Sequence, residues 1–329
     1  MKKLIRVLSI DGGGIRGIIP SMVLKEIEGI AQRPVSHLFD LIVGTSTGGL
    51  IALALTKPGR DGGPHIDGKS LIGFYENEGK KIFHIPLWKR VESGWNLLDE
   101  KYPDKNIEQV LKGFFGDSRL KEAITPVMIP AYEIEGRSPW FFRSERARVS
   151  ESYDFPMSDV ARAATAAPTY FSPKKLMNMD SSDYYSLIDG GVYANNPSLC
   201  AYVEAKNMFP DNHDFLMVSL GTGELTKRIE HNDAKDWGLA QWAHPILNVI
   251  FDGLSDTVDY QMKELLHPPG RSKRYFRFQA RLDNGNDDMD DARDHNLRTL
   301  KLDAKEMIRS HSEDLDVLVK TLLQSEERT

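Results

Sequence analysis

The tightest constraint on this chain lies in residues 38–56, LFDLIVGTSTGGLIALALT. Residues 39–43 form a short apolar run with the composition of a buried strand, and residues 49–56 form an apolar, alanine-bearing run that reads as a helix. Gly44-Thr45-Ser46-Thr47-Gly48 joins them, so Ser46 has a glycine two residues away on each side. A serine in that frame, between strand and helix, fits a nucleophile elbow. The turn is so tight that any side chain larger than hydrogen at Gly44 or Gly48 would collide with neighbouring backbone. Ser46 Oγ then stands at the carboxyl edge of a sheet, above a helix N-terminus whose dipole favours developing negative charge. An ordinary serine in a glycine-rich turn is the competing reading, because GxSxG alone is a weak pattern.

A second strand, loop and helix precede the elbow. Residues 4–10 are β-rich and run into Asp11-Gly12-Gly13-Gly14-Ile15-Arg16-Gly17, after which Ile19, Met22, Val23, Ile27 and Ile30 keep near-helical spacing. Gly12, Gly14 and Gly17 make a formal GxGxxG, which raises a dinucleotide-binding βαβ unit as a rival. Asp11 argues against it by placing a carboxylate beside the pyrophosphate. The acidic residue such a unit needs about 20 positions further on would have to be Asp40, which opens the second strand rather than closing it. The chemical alternative is an anion-binding concavity made of the backbone N–H groups of Gly12, Gly13 and Gly14, with Arg16 nearby. With the Thr47 N–H, these are candidate donors for the oxyanion formed when Ser46 attacks a carbonyl.

A serine hydroxyl is a poor nucleophile until a neighbour accepts its proton. The chain has nine histidines, and an α/β-hydrolase order would draw the base from His213, His231, His244, His267, His295 or His311. None follows a convincing strand, and His213 precedes the strand at 215–220. Residues 184–188 form a strand that runs into Asp189-Gly190-Gly191, which places a carboxylate at a strand's carboxyl end, where catalytic groups gather in open α/β sheets. A carboxylate is a weaker base than imidazole, so a Ser46–Asp189 dyad requires a desolvated site that raises the aspartate's basicity.

The rest of the chain reads as further α/β material. Helices are expected at 71–82, 106–115, 158–167 and 197–208, and strands at 126–131, 140–142, 215–220 and 275–278. Residues 82–98 mix Trp88 and Trp95 with Lys89 and Arg90, a pattern that suits a partly buried surface segment or lid and also a lipid interface. Residues 237–262 carry apolar helical spacing around Trp242, Ile246, Val249 and Ile250. Residues 283–294, DNGNDDMDDARD, are acidic without a calcium-loop register and read as a solvated loop. Leu315, Leu318, Val319 and Leu322 mark a final amphipathic helix.

DGGGIRG at 11–17, GTSTG at 44–48, ARAATAAPTYF at 161–171, DGG at 189–191 and SLGTG at 219–223, taken together and in this order, resemble the patatin-like phospholipase family. The resemblance implies a three-layer α/β/α fold with a mostly parallel central sheet. It also implies calcium-independent lipid acyl hydrolysis of the phospholipase A type, with Ser46 as nucleophile and Asp189 as base. Gly12, Gly13, Gly14 and Arg16 would lie in the oxyanion segment, with no cofactor and no metal. The match covers residues 4–223, the motif-bearing core of what is expected to be one catalytic domain over 1–329. Residues 224–329 match only loosely and are expected to pack on the same domain. The implied substrate is a phospholipid or another acyl-ester lipid, reached through peripheral membrane contact. Some bacterial members are switched on by cyclic nucleotides in phage defence, and the compact, bacterial-looking architecture permits a small cyclic-nucleotide activator here.

Composition agrees with that class. The 329 residues are 40% hydrophobic, enough for a sizeable core, and the net charge of −6 argues against a nucleic-acid partner. The single cysteine, Cys200, rules out an intrachain disulfide and fits a reducing, cytoplasmic setting. Arg6 and Asp11 interrupt the apolar run that a secretory leader would need. No apolar run approaches the roughly 20 residues that span a bilayer.

Overall fold

The computed structural model describes residues 3–84, 102–178, 183–211, 214–224, 228–242, 245–266 and 273–324. The aromatic and basic stretch at 82–98 therefore lies, from residue 85 onward, outside the described residues, as do His213, His244 and His267. The longer elements are β1 (Leu4–Ile10), α1 (Ile18–Ala31), β2 (Leu41–Gly44), α2 (Thr47–Thr56), α3 (Gly68–Ile82), α4 (Asp104–Phe115), β3 (Val127–Glu133), β4 (Ser138–Arg143), α5 (Met157–Ala164) and β5 (Lys174–Met177). They continue with β6 (Tyr184–Asp189), α6 (Ser198–Met208), β7 (Asp214–Leu220), α7 (Pro245–Leu266), β8 (Tyr275–Phe278), α8 (Asp294–Ser310) and α9 (Ser312–Gln324).

The eight strands form one sheet in the order β5-β6-β3-β2-β1-β7-β8, with β4 added to the free edge of β3. The pairings from β3 through β2, β1 and β7 to β8 are parallel, and those of β4, β5 and β6 are antiparallel. Alternate residues of the central strands face opposite layers, as the period of a strand dictates. Leu8, Ile10, Ile42, Leu216 and Val218 join a core built with α1 to α5, α8 and α9. Ile5, Val7, Leu41, Val43 and Met217 meet Ala201 and Ala205 of α6 and Met262 and Leu266 of α7. The result is the three-layer α/β/α arrangement.

The helix after the elbow is apolar all round because it is buried all round. All ten residues of α2 are shielded from solvent. The alanine-rich α5 packs beside it, and a Cβ on Gly49 would come within 3.5 Å of the Ala164 Cβ. Small side chains let these two helices and the sheet come together closely.

The strand ending in Asp189 is antiparallel to its neighbour β3. One reading is corrected by the fold. The acidic stretch at 283–294 is not a solvated loop, because Met289 is only 8% exposed and its carbonyl accepts the Ile15 N–H at 2.8 Å. Its polar side chains satisfy one another and α8: Asn286 and Arg293 bind Asp291, and Asn284 binds Asp303.

Candidate active site

Three parallel strand ends set one level. Ile10 of β1 pairs with Gly44 of β2 on one side and with Leu220 of β7 on the other. The glycine loop after β1, the serine turn after β2 and the loop carrying Thr222 after β7 therefore leave the sheet side by side. Strand order reverses about β1, the place where open α/β sheets form a crevice.

Ser46 sits at φ 55° and ψ −125°, directly before the first turn of α2. That left-handed backbone costs a non-glycine residue on the order of 1–3 kcal/mol and persists only when the surroundings enforce it. The enforcement is backbone against backbone. A Cβ on Gly44 would strike the Gly48 carbonyl, and a Cβ on Gly48 would strike the Ile10 carbonyl and come within 2.8 Å of the Asp11 carbonyl.

Asp189 reaches this turn from the opposite direction. β4 occupies one edge of β3 along its whole length, so β2 and β6 share the other edge. β2 takes Val127 and Met128, β6 takes Ala131 to Glu133, and the two strands meet end to end across Ile129 and Pro130. Pro130, which has no N–H to donate, falls in the gap between the two pairings. A Cβ on Gly190 would come within 2.6 Å of the Pro130 carbonyl, so the chain can turn there only as glycine. β3 outruns β2, and that overhang lets an antiparallel strand bring its carboxyl end to the same edge as Ser46.

Asp189 is 1% exposed, lines the cavity beside Ser46, and accepts a hydrogen bond from the Gly191 N–H at 2.8 Å. Burial pushes its carboxyl up from 3.8 to about 7, against the opposing pull of the Ser46 hydroxyl and the Gly191 N–H. Its own N–H donates to the Ala166 carbonyl at 3.0 Å, which ties it to the segment after α5. Thr45 Oγ1 donates to the Ala194 carbonyl at 2.6 Å, so the elbow is also fastened to the turn after Asp189. Among the described residues, no histidine lines the cavity above Ser46.

The glycine loop divides its work. The Gly12 N–H is committed to the Asn195 carbonyl at 3.0 Å, and the Gly12 carbonyl accepts from Thr222 Oγ1 at 2.6 Å. Gly12 therefore aligns the loop and has no N–H left for an oxyanion, which corrects its reading as a donor. The N–H groups of Gly13 and Gly14 border the cavity without a hydrogen-bond partner among the described residues, and so does that of Thr47. Gly14 has φ 57°, with the Met289 carbonyl where a side chain would begin. Arg16 is buried, its Nε donates to the Gly13 carbonyl at 3.4 Å, and its Nη1 has no partner. The guanidinium faces a polar chamber behind the loop, beside Asp11, Thr222, Asp252 and Asp256, rather than the cavity of Ser46. It steadies the loop from behind.

The cavity encloses about 710 Å³ counting its mouth, and Leu50, Phe74, Tyr75, Ile82, Phe171 and Phe251 are among its walls. Its polar lining is Ser46, Thr47, Thr165, Asp189 and Asn195 with Gly13 and Gly14 of the loop and the tyrosines Tyr75 and Tyr170, and the rest is apolar. Such a shape suits an apolar chain ending in a carbonyl.

Four residues that position the site carry little or no signal of their own in the sequence. Thr222 lies in a glycine-flanked motif and Asn195 in a turn signal, which mark a turn but not a contact. Arg277 pairs with Asp11 at 2.6 Å across 266 residues of chain, and Met289 backs Gly14. Nothing local to either residue announces its partner.

The sequence model of the family described as Patatin-like phospholipase matches residues 8–201, a span that holds Gly13, Gly14, Ser46 and Asp189. The chain belongs to the patatin-like phospholipase family. Among curated members, Patatin-like protein 4 of Arabidopsis thaliana is 34% identical over 91% of this chain and 82% of its own length. Patatin-like protein 3 of the same plant is 33% identical over 84% of this chain and 73% of its own. Among solved structures, VipD from Legionella pneumophila matches with 12% identity and a TM-score of 0.38, over 94% of this chain and 67% of that one. The curated relatives named here are plant proteins, and the expectation of a specifically bacterial patatin-like enzyme gains no support from them. No described helix is long and apolar enough to cross a membrane.

Proposed function

We propose that this patatin-like protein is a serine acyl hydrolase that cleaves acyl esters of phospholipids or related lipids through Ser46 and Asp189. The observation that carries the reading is the placing of a buried Asp189, its carboxyl raised to about 7, beside Ser46 in one cavity. A carboxylate at its ordinary value would accept a hydroxyl proton poorly, whereas one near 7 is matched to the task at neutral pH. Ser46 Oγ attacks the acyl carbonyl as its proton passes to Asp189. The tetrahedral oxyanion is held by the amides of Gly13 and Gly14 with that of Thr47, a set fixed before substrate arrives. Collapse expels the alcohol, which takes the proton from Asp189. Water then repeats the sequence on the acyl-enzyme and releases the fatty acid.

The apolar cavity supports an acyl chain as the group held during this cycle. Family membership favours hydrolysis over the nucleotide-dependent oxidoreduction that a bare GxGxxG suggests. The reaction as written uses no cofactor or metal. Peripheral contact with a membrane and a cytoplasmic location are part of the same proposal, since a lipid ester must be met at its surface.

The test is mass spectrometry of phospholipids before and after incubation with wild type, Ser46→Ala and Asp189→Asn. Fatty acid should appear with wild type alone. Release by either variant at the wild-type rate overturns the dyad. Parallel incubations with a panel of cyclic nucleotides decide the activator: equal rates with and without them remove that reading.

A further inference from the structure

α7 forms a wall one helix thick between the acyl cavity and solvent. Phe251, Ser255, Met262 and Leu266 are buried on its inner face, and Phe251 lines the cavity that holds Ser46. At helical spacing on the other face, Ile246, Val249 and Ile250 are 38%, 44% and 38% exposed, and Gly253 continues the line. The short helix Leu239–Trp242 touches α7 and extends the same character. Leu239 is 94% exposed, and Trp242 lies half-buried edge-to-face with Trp237 at 5.1 Å. Within α7 a spacing of three and four residues, about one helical turn, carries this apolar line from Ile246 to Gly253 without a charged residue on it.

We propose that this outer face of α7, with Leu239 and Trp242, is the surface that docks on an electrically neutral phospholipid bilayer. The proposal rests on the acyl-hydrolase reading of Ser46. Lipid is favoured by three observations. The face belongs to the helix whose inner side walls the acyl cavity, so seating it in the headgroup layer brings the cavity within about one helix diameter, roughly 10 Å, of the acyl chains. Trp237 and Trp242 supply the amphipathic rings that settle at membrane interfaces. No lysine or arginine occurs between Leu239 and Met262 to draw an anionic headgroup, and Asp256 is exposed on the same helix, so an anionic surface gains nothing over a zwitterionic one. A second copy of the chain is disfavoured because the five side chains of this face, most of them only part-exposed, fall short of the roughly 800 Å² per partner of a stable interface.

The test separates docking from chemistry. Binding is read with the full chain carrying Ser46→Ala, so that no lipid is consumed, by energy transfer from tryptophan to a dansyl lipid in phosphatidylcholine vesicles. Adding Ile246→Gln, Val249→Gln and Ile250→Gln should weaken partitioning at least tenfold, and 30% phosphatidylglycerol in the vesicles should not strengthen it. In the protein with Ser46 intact, the triple change should cut vesicle hydrolysis at least tenfold and leave cleavage of a soluble butyrate ester within twofold. Vesicle binding and hydrolysis unchanged in the triple variant overturn the proposal. So does a wild type that is dimeric in solution and made monomeric by the triple change. If no ester is cleaved at all, the hydrolase reading fails while the partitioning result still decides the surface.

Discussion

Residues 4–223 and residues 224–329 meet at the glycine loop and contribute in opposite ways. The first region brings the groups proposed to react: Ser46 on its strained turn, Asp189 at the tip of an overhanging strand, and the amides of Gly13 and Gly14. The second adds no group to Ser46 and Asp189 but fixes the loop beside them. Arg277 neutralises Asp11 from β8, and the Met289 carbonyl holds Ile15 and excludes a side chain at Gly14. Chemistry sits on one region, and the rigidity that makes the chemistry usable is supplied from both. Changes in the first region should therefore alter rate with little change in fold, and changes in the second should alter stability and drag rate along with it.

The largest effect belongs to the first region. Ser46→Ala should lower turnover of a soluble acyl ester by about a thousandfold or more, as removal of a serine nucleophile does elsewhere. Its thermal midpoint should stay close to wild type. A variant that lost both activity and fold would erase the contrast between the regions.

Arg277→Leu probes the second region. Arg277 donates to Asp11 at 2.6 Å and to Ser219 Oγ at 2.7 Å, with both charged side chains nearly sealed from water. Leaving Asp11 without its cation should cost about 3–5 kcal/mol in chemical denaturation. A loss below about 1 kcal/mol would mean that β8 does not brace the loop.

Asp189→Asn should move stability in the other direction. A carboxyl raised from 3.8 to about 7 on folding stabilises the native state below pH 4 and loses that contribution as pH rises through 7. At 1.36 kcal/mol per pH unit the full cost of ionising it is about 4 kcal/mol. The asparagine variant should therefore be more stable than wild type by about 2–4 kcal/mol at pH 8, with the gap closing toward pH 4. Parallel unfolding curves at every pH would deny that Asp189 is held in a desolvated site.

The smallest effect tests the strap formed by the acidic segment. Tyr102 donates its hydroxyl to Asp290 at 2.7 Å. Tyr102→Phe should cost about 1–2 kcal/mol, and a modest fall in ester turnover should accompany it as Met289 loses its anchorage.

The first region was legible because its signals are local. A glycine two residues either side of Ser46 states a backbone contact, and the apolar run after it states burial on every side. The strand end at Asp189 is legible, but the direction of that strand is not, since β6 and β2 share an edge of β3 in a way no short stretch of chain can express. The second region is legible where the local pattern is strong: the strand at 275–278, the helical spacing around Ile246, Val249 and Ile250, and Leu315, Leu318, Val319 and Leu322, which are all buried in α9. Its acidic segment has the composition of a solvated loop, and only the tertiary structure turns Asp291 and Asp303 inward to satisfy Asn284, Asn286 and Arg293. Gly12 was misread for a related cause: one of three adjacent amides is spent on Asn195, and sequence cannot say which.

The dyad is tested most directly by the rate and site of labelling with a fluorophosphonate, followed by peptide mass spectrometry across pH 5 to 9. The adduct should form on Ser46, at a rate that rises through about pH 7 and then levels, and Asp189→Asn should slow it at least a hundredfold at every pH. Labelling on another residue, or on Ser46 at an unchanged rate in Asp189→Asn, would contradict the account.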